Sequence, residues 1–403
     1  MVANGGAGDD SFDVLVVGGG NAGISAAGRL IRRGITDVAV IEPQSVHVYR
    51  PLLSYVGGGQ ACMQSAQRAQ KAVTPRDCTW LQDCAVEVDA AAHTVRCASG
   101  RSYRYNDVVL GPGLVPDTDA LAGIDAALDT PAVASNYLDA AEKTWELVQS
   151  MAAGGRAVFT VPRAPVSCTG TTLKPLFLAA AHWAQTKRLS AIDIALVIDR
   201  PQMLGVPDLD ARLLNHLDDL GVEIFHDTVV TELNPDQREI TVDDHNGTTT
   251  RLPYDFLHLV PPFRGPRWLE TSQLTGDNPH GLVDIDPRTF RHRTLPNVWA
   301  AGDGANVDTD PSGGALRKQI SILVDNLLAT RTGAQFSYYD GYTVAPIAIS
   351  SHRLILGEFD RTGSIASSLP SFLDPLKPRR TAWALDRYAL PQVYWKLLLN
   401  GIL

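Results

Sequence analysis

The chain has 403 residues, 45% hydrophobic and 20% charged, with 35 Lys and Arg against 44 Asp and Glu and a net charge of −9. That length supports a sizeable core divided over two or three domains. The acidic balance argues against nucleic acid as the main partner, since phosphate binding needs a basic surface, and no run approaches the ~20 apolar residues of a membrane span.

Met1 to Ser11 contains Gly and Asp and no apolar core. It reads as a short disordered lead and not as a signal peptide, which places the protein on the cytoplasmic side. Phe12 to Glu42 is the first strongly patterned stretch. Val14 to Val17 has the β-branched sequence of a buried parallel strand, and Gly18-x-Gly20-x-x-Gly23 follows at once. A helical pattern begins at Asn21 and ends at Gly34, Asp37 to Ile41 reads as a second strand, and Glu42 stands at its end. Each part suits dinucleotide binding. Gly18 permits a tight turn, Gly20 lets the backbone approach a pyrophosphate, and Gly23 lets helix and strand pack closely. The helix start at Asn21 and Ala22 offers N–H groups to phosphate, and Glu42 can accept from a ribose diol.

Pro43 to Gly59 is rich in Tyr, Pro and Gly and reads as a loop, in which Arg50 meets either a cofactor or solvent. Thr79 to Val88 and His93 to Cys97 are expected to be paired strands. Tyr105 to Leu110 is another strand, ending in Gly111-Pro112-Gly113, where Gly113 would brush the cofactor. Asn136 to Met151 is expected to be a helix. Ala157 to Val161 then opens a second strand–turn–helix unit, but its turn reads Pro162-Arg163-Ala164-Pro165-Val166-Ser167-Cys168. Two prolines remove N–H donors, and side chains project where a pyrophosphate needs bare backbone, so no nicotinamide dinucleotide is expected there. A cysteine occupies the turn instead.

Further strands are expected at Ile192 to Ile198, Val222 to Val230 and Phe256 to Val260, with helices at Pro175 to Gln185 and Asp208 to Leu220. Asn246-Gly247 marks a hairpin. Leu295 to Asp303 is a second cofactor signature: a short apolar strand delivers Asp303, between glycines, to a helix start. Paired with the first glycine loop, it points to FAD. Cys62, Cys78, Cys84, Cys97 and Cys168 contain no CxxC pair, which excludes a zinc ribbon or a simple disulfide framework, and no metal is expected. The first four read as small buried or half-buried residues. Arg379 to Leu403 interleaves Trp383, Tyr388, Tyr394 and Trp395 with leucines and cations. It suits an interfacial helix, or else a terminal helix packed on the protein's own core.

From Phe12 to the C-terminus the chain resembles the sulfide:quinone oxidoreductases, particularly the subgroup with the mitochondrial enzymes. The resemblance is carried by VVGGGNAGISAA, IEPQSVHVYRP, RAPVSCTGTTLKP, FLHLVPP, LPNVWAAGDGANVDT, YYDGYTVAPI and LILGEFD. It implies an α/β, glutathione-reductase-like fold of tandem Rossmann domains with FAD, a quinone acceptor and a monotopic membrane contact through the C-terminal region. The expected divisions are 12–150 and 266–335 for FAD, 151–265 for the unit with Cys168, and 336–403 for the quinone and membrane region. Gly18, Gly20, Gly23, Glu42, Arg50 and Asp303 fall on cofactor-contacting positions, and Ala85 on the stretch that meets adenine. The family oxidises sulfide to a persulfide between two cysteines. Cys168 matches the first, Gly304 stands in place of the second, and Pro311 stands near a lysine of the mitochondrial members.

The leading expectation is FAD-dependent oxidation of sulfide or a small thiol by one cysteine, with electrons passed to a membrane quinone. Lys174 and the helix start beside it would supply positive potential to Cys168. Phe359 and Tyr394 are aromatic candidates for quinone contact, with core packing the other reading of each. A type II NADH:quinone reductase and a flavin- or sulfur-binding protein without turnover are the competing readings.

Overall fold

The computed structural model describes residues 10–368, 370 and 373–403. Val14 to Val17 are all buried, as a strand covered on both faces requires. The strand Asp10–Val17 lies between two parallel neighbours, Val38–Ile41 and Ser102–Leu110. Cys78–Leu81 extends the sheet beyond Val38–Ile41, and Thr94–Cys97 and Ala85–Asp89 extend it antiparallel on the other side. Val298–Ala300, far along the chain, joins parallel to Ser102–Leu110 and completes seven strands. That return places the second cofactor signature beside the first.

A second, five-stranded parallel sheet runs in the order Val133–Ala134, Phe256–His258, Arg156–Val161, Asp193–Ile198, Glu223–His226. Its order reverses between Arg156–Val161 and Phe256–His258, the kind of switch point at which open α/β sheets leave a crevice. The antiparallel hairpin Thr343–Ser350 and Arg353–Phe359 packs on the helices Lys174–Gln185 and Gly313–Thr332, tying the two sheets' layers together.

Several local expectations change in the folded chain. Asp10 and Ser11 already belong to the first strand, and the rest of the proposed lead lies outside the described residues. Pro43 to Gly59 is not a plain loop: it contains the strand Val46–Val48 and the helical turns Arg50–Leu52 and Leu53–Gly57. The apolar faces of Leu52, Leu53, Tyr55 and Val56 are buried, and burial overrides the turn-forming composition. Thr79 to Val88 divides into two strands with different partners. The helix expected from Asn136 runs only over Ala141–Ser150. Val222 to Val230 breaks at Asp227, whose φ of 48° redirects the chain from the parallel sheet into a three-stranded antiparallel one. Cys97 is buried and Cys78 half-buried, but Cys62 and Cys84 are exposed.

The C-terminal segment is helical from Arg380 to Leu398, with two π-helical stretches. Tyr394, Leu398 and Leu399 are buried, and Trp383 and Trp395 pack against the core of the first sheet. The contact is backbone to backbone. A Cβ on Gly28 would lie 2.7 Å from the Leu399 carbonyl oxygen, and one on Gly401 would lie 2.3 Å from the Arg29 nitrogen. Glycine inside a helix costs up to about 1 kcal/mol relative to alanine, and here it permits this close approach. Arg32 Nε donates to the Asn400 carbonyl at 2.6 Å. The aromatic residues expected to form an interfacial belt therefore serve mainly the protein's own packing, while Leu385, Tyr388, Ile402 and Leu403 remain exposed. Among the described residues no helix is long and apolar enough to cross a membrane.

Candidate active site

The first glycine loop is an open cradle. Gly18 has φ +99°, and a Cβ there would meet the Gly111 carbonyl oxygen at 2.3 Å; one on Gly23 would meet the Gly18 carbonyl oxygen at 1.8 Å. A Cβ on Gly20 would meet nothing within 4 Å, so the loop faces free space at that residue. No side chain caps the helix Asn21–Arg32 that follows, which leaves its N-terminal dipole to a ligand. Glu42 Oε2 accepts from Gly19 N and Oε1 from Gln44 N, both at 2.7 Å. Those bonds orient the carboxylate and leave it further lone pairs for a diol. Ala85 begins an edge strand of the same sheet and is buried.

Two more glycine-rich turns close on this cradle. A Cβ on Gly111 would lie 3.0 Å from Ala22 Cβ, and one on Gly302 would lie 3.1 Å from the same atom. Asp303 sits at this junction. Its carboxyl is pushed up by burial, against a hydrogen bond from Ser167 and the charge of Arg50. Arg50 Nη2 donates to the Tyr137 carbonyl at 2.6 Å. The two cofactor signatures and the cysteine loop thus meet at Asp303.

Cys168 is half-buried, with φ 56°, and caps the one-turn helix Thr169–Thr172 from the left-handed region. The Thr171 hydroxyl donates to its Sγ at 3.2 Å. Tyr137 Oη lies 3.2 Å from the Ser167 carbonyl and 3.4 Å from that of Cys168, pinning the loop from below. Asp310 accepts from Thr169 N at 3.1 Å and from the Thr169 hydroxyl. Burial, then the Asp310 charge, push the Cys168 thiol from 9.0 up to about 11, against the opposing effects of Thr171 and Lys174. Asp310 itself is pushed up by burial.

Tyr137 and Asp310 were not singled out in the sequence. Neither stands in a motif, and only the fold brings them, from 31 residues before and 142 after, to Cys168. Lys174 does face this region, but it is fully buried in an ion pair with Asp386 at 2.8 Å. Phe359 and Tyr394 are both buried, in separate parts of the core, and Tyr394 Oη is 2.5 Å from His47 Nε2.

Gly304 is buried, and a Cβ there would lie 2.7 Å from the Gly113 carbonyl oxygen. The Gly111–Gly113 turn stands in the volume that a side chain at 304 would need.

The second sheet's crevice is closed from within. Arg163, in the turn after Arg156–Val161, makes two bonds to Asp199 at 2.7 and 2.6 Å. Asp199 ends the next strand, where a Rossmann unit offers an acid to ribose. His245 Nε2 lies 3.1 Å from the same carboxylate. A cavity of about 140 Å³ lies beside this pair, between Val161, Val197, Leu259 and Phe263.

The pattern of the pyridine nucleotide-disulphide oxidoreductases matches residues 12–324. The chain is 31% identical over 395 residues to the mitochondrial sulfide:quinone oxidoreductase of Mus musculus, covering 97% of this chain and 87% of that one. It is 30% identical to the corresponding protein of Dictyostelium discoideum, with 96% and 86% covered. This chain belongs to the sulfide:quinone oxidoreductase family. The solved sulfide:quinone oxidoreductase of Aquifex aeolicus matches with a TM-score of 0.82 at 16% identity, covering 97% of this chain and 92% of that one, a likeness of fold. As a member of this family the chain is a flavoprotein oxidoreductase with FAD as its cofactor, which the open cradle at Gly20, the uncapped helix and Asp303 fit.

Proposed function

We propose that the protein oxidises sulfide or a small thiol at Cys168 and delivers two electrons to a membrane quinone. The observation that carries this reading is the junction at Asp303, where Ser167 of the cysteine loop and Arg50 face the carboxyl of the cofactor signature, so that the Cys168 loop lies against the flavin site. Gly18, Gly20, Asn21, Ala22, Gly23, Glu42, Arg50, Ala85, Gly113 and Asp303 hold FAD, within a flavin domain formed by 12–150 and 266–335. FAD, when bound, supplies the two-electron sink that sulfur–sulfur bond formation requires.

Cys168 Sγ joins the substrate sulfur, as a persulfide with sulfide or a mixed disulfide with a small thiol; the S–H protons of both partners are released, and the two electrons of the new S–S bond would be taken up by the bound FAD. With Gly304 in place of a second cysteine, the chain itself offers no resolving thiol on that side. An external thiolate, or a second sulfide, attacks the outer sulfur, leaves with it and returns the Cys168 thiolate. The Thr171 hydroxyl and Lys174 favour that thiolate, while burial and Asp310 oppose it. The exposed Leu385, Tyr388, Ile402 and Leu403, with the nearby Arg380 and Lys396, support a peripheral contact with the cytoplasmic face of a membrane.

Anaerobic titration with sulfide should bleach the flavin band near ~450 nm. Equally fast bleaching in Cys168→Ser removes the cysteine from the chemistry, and reduction without reoxidation by added quinone makes the chain a binding protein. NADH should leave the flavin oxidised, because Pro162, Pro165 and the Arg163–Asp199 pair occupy the second crevice.

A further inference from the structure

Behind the first glycine loop lies a small bracket that the cofactor motif does not include. The strands Val46–Val48 and Gln67–Ala69 pair antiparallel, with His47 opposite Arg68, and Gln70 follows at once. His47 and Gln70 are both buried, and both reach the Gly19 carbonyl. His47 Nδ1 lies 2.9 Å from that oxygen, and Gln70 Nε2 donates to it at 3.1 Å. A Cβ on Gly19 would stand 2.6 Å from Gln70 Nε2, so the bracket closes directly on the loop backbone. At its other nitrogen, Nε2, His47 is 2.5 Å from Tyr394 Oη of the C-terminal segment, 347 residues away. The Tyr394 ring is itself held 4.4 Å from that of Tyr49, and Trp395 meets His47 edge-on at 5.7 Å.

These contacts fix the direction of each hydrogen bond. A carbonyl oxygen only accepts, so His47 Nδ1 carries the proton. Burial pushes the His47 pKa down, against the bonds to Gly19 and Gln70, and in the neutral ring Nε2 accepts from the Tyr394 hydroxyl. The bonds thus run from Tyr394 through His47 to Gly19. The peptide between Gly19 and Gly20 is planar and trans, so its C=O and N–H point to opposite sides. Holding the Gly19 oxygen against His47 and Gln70 turns the Gly20 N–H away from them, at the residue where the loop faces free space.

We propose that Tyr394, acting through His47, is a positioning residue for FAD: the docked C-terminal segment holds the Gly19–Gly20 peptide in the orientation that offers the Gly20 N–H to a phosphate of the cofactor. The inference rests on the glycine loop holding FAD, as given above. The C-terminal segment is then part of the support of the cofactor site, and undocking it frees the peptide to turn and loosens the flavin.

The test is flavin release from the purified holoenzyme, read as the flavin-to-protein absorbance ratio after timed dilution and rapid desalting, together with the phosphorus NMR spectrum of the bound FAD. Tyr394→Phe removes one hydroxyl and keeps the ring. It should speed release about three- to tenfold, the size of one lost hydrogen bond, and shift a pyrophosphate resonance. His47→Phe should speed release at least as much, and Tyr394→Phe should add nothing in that background. Arg32→Ala removes the bond to the Asn400 carbonyl and leaves the Tyr394–His47–Gly19 bonds alone, so it should not move the phosphorus spectrum. An unchanged release rate or an unchanged spectrum in Tyr394→Phe overturns the proposal. So does an equal further effect of that change in the His47→Phe background, or the same phosphorus shift in Arg32→Ala. If His47→Phe does not fold, Tyr394→Phe decides by its release rate and spectrum. Failure of the glycine loop to hold FAD shows elsewhere: Gly23→Val would then keep its flavin, whereas failure of this proposal leaves that variant colourless.

Discussion

At the carboxyl end of Asp10–Val17 the chain turns through glycines and leaves a cradle with free space at Gly20. At the carboxyl end of Arg156–Val161 the corresponding turn carries Pro162, Arg163 and Pro165, and Arg163 closes on Asp199. The two sheets share a core of four parallel strands in the same order, but one turn is shaped by what its side chains leave out and the other by what they put in. The first admits a phosphate to bare backbone. The second satisfies its own acid, then spends the rest of the loop presenting Cys168 toward the first. On the function proposed above, a duplicated scaffold is divided between holding a cofactor and doing chemistry beside it.

The strongest way to break that contrast is to fill the cradle. Gly23→Val places a side chain where even a Cβ would stand 1.8 Å from the Gly18 carbonyl oxygen. The purified variant should be colourless, with its flavin-to-protein absorbance ratio reduced more than ~10-fold. Removing the Cys168 thiol from the second loop comes next. Cys168→Ser should keep its flavin and lose at least ~100-fold in the rate of sulfide-driven bleaching, measured by stopped flow.

Gly304→Cys tests the junction between the halves. Overpacking against Gly113 should cost about 1–3 kcal/mol, read as a fall in denaturation midpoint, with no gain in sulfide oxidation. Asp310→Asn should lower the Cys168 pKa below its present value of about 11, so that alkylation reaches half its maximal rate at lower pH. The same thiol links to stability. Its folded pKa lies above 9.0, so the unfolded chain binds fewer protons between 9.0 and about 11, and stability should fall with rising pH across that window. Cys168→Ser should flatten this part of the denaturation profile.

The smallest effect is expected from Arg163→Ala. Arg163 is 52% exposed, so losing its pair with Asp199 should change stability by no more than ~1 kcal/mol. NADH should still fail to bleach the flavin, because Pro162 and Pro165 remain.

The first strand, its glycine loop and Glu42 were legible because all their interactions are local: strand period, glycine spacing and one acid at the next strand's end. The place of Asp303 at the end of a short strand was legible for the same reason, and so was the proline-bearing turn after Arg156–Val161, since prolines act on their own backbone. Tyr137 and Asp310 were not, because a residue that braces a loop from across the fold leaves no period in the sequence. The expected helix from Asn136 misled for a related reason: Asn136 and Tyr137 are drawn into the site, and the helix starts only at Ala141. Lys174 was visible as a cation near Cys168, but its partner Asp386 lies in a segment whose amphipathic composition reads first as a membrane-surface helix and only second as part of the protein core.

The sequence by itself determined that the chain builds one dinucleotide cradle and one proline-bearing cysteine loop, since backbone freedom and the loss of N–H donors are properties of the residues themselves. Only the tertiary structure decided which groups face Cys168, that no room is left at Gly304, and that the C-terminal segment lies against the helix after the glycine loop. Those outcomes depend on burial and on charges meeting across the fold. Neither exists until the two sheets and the tail have come together.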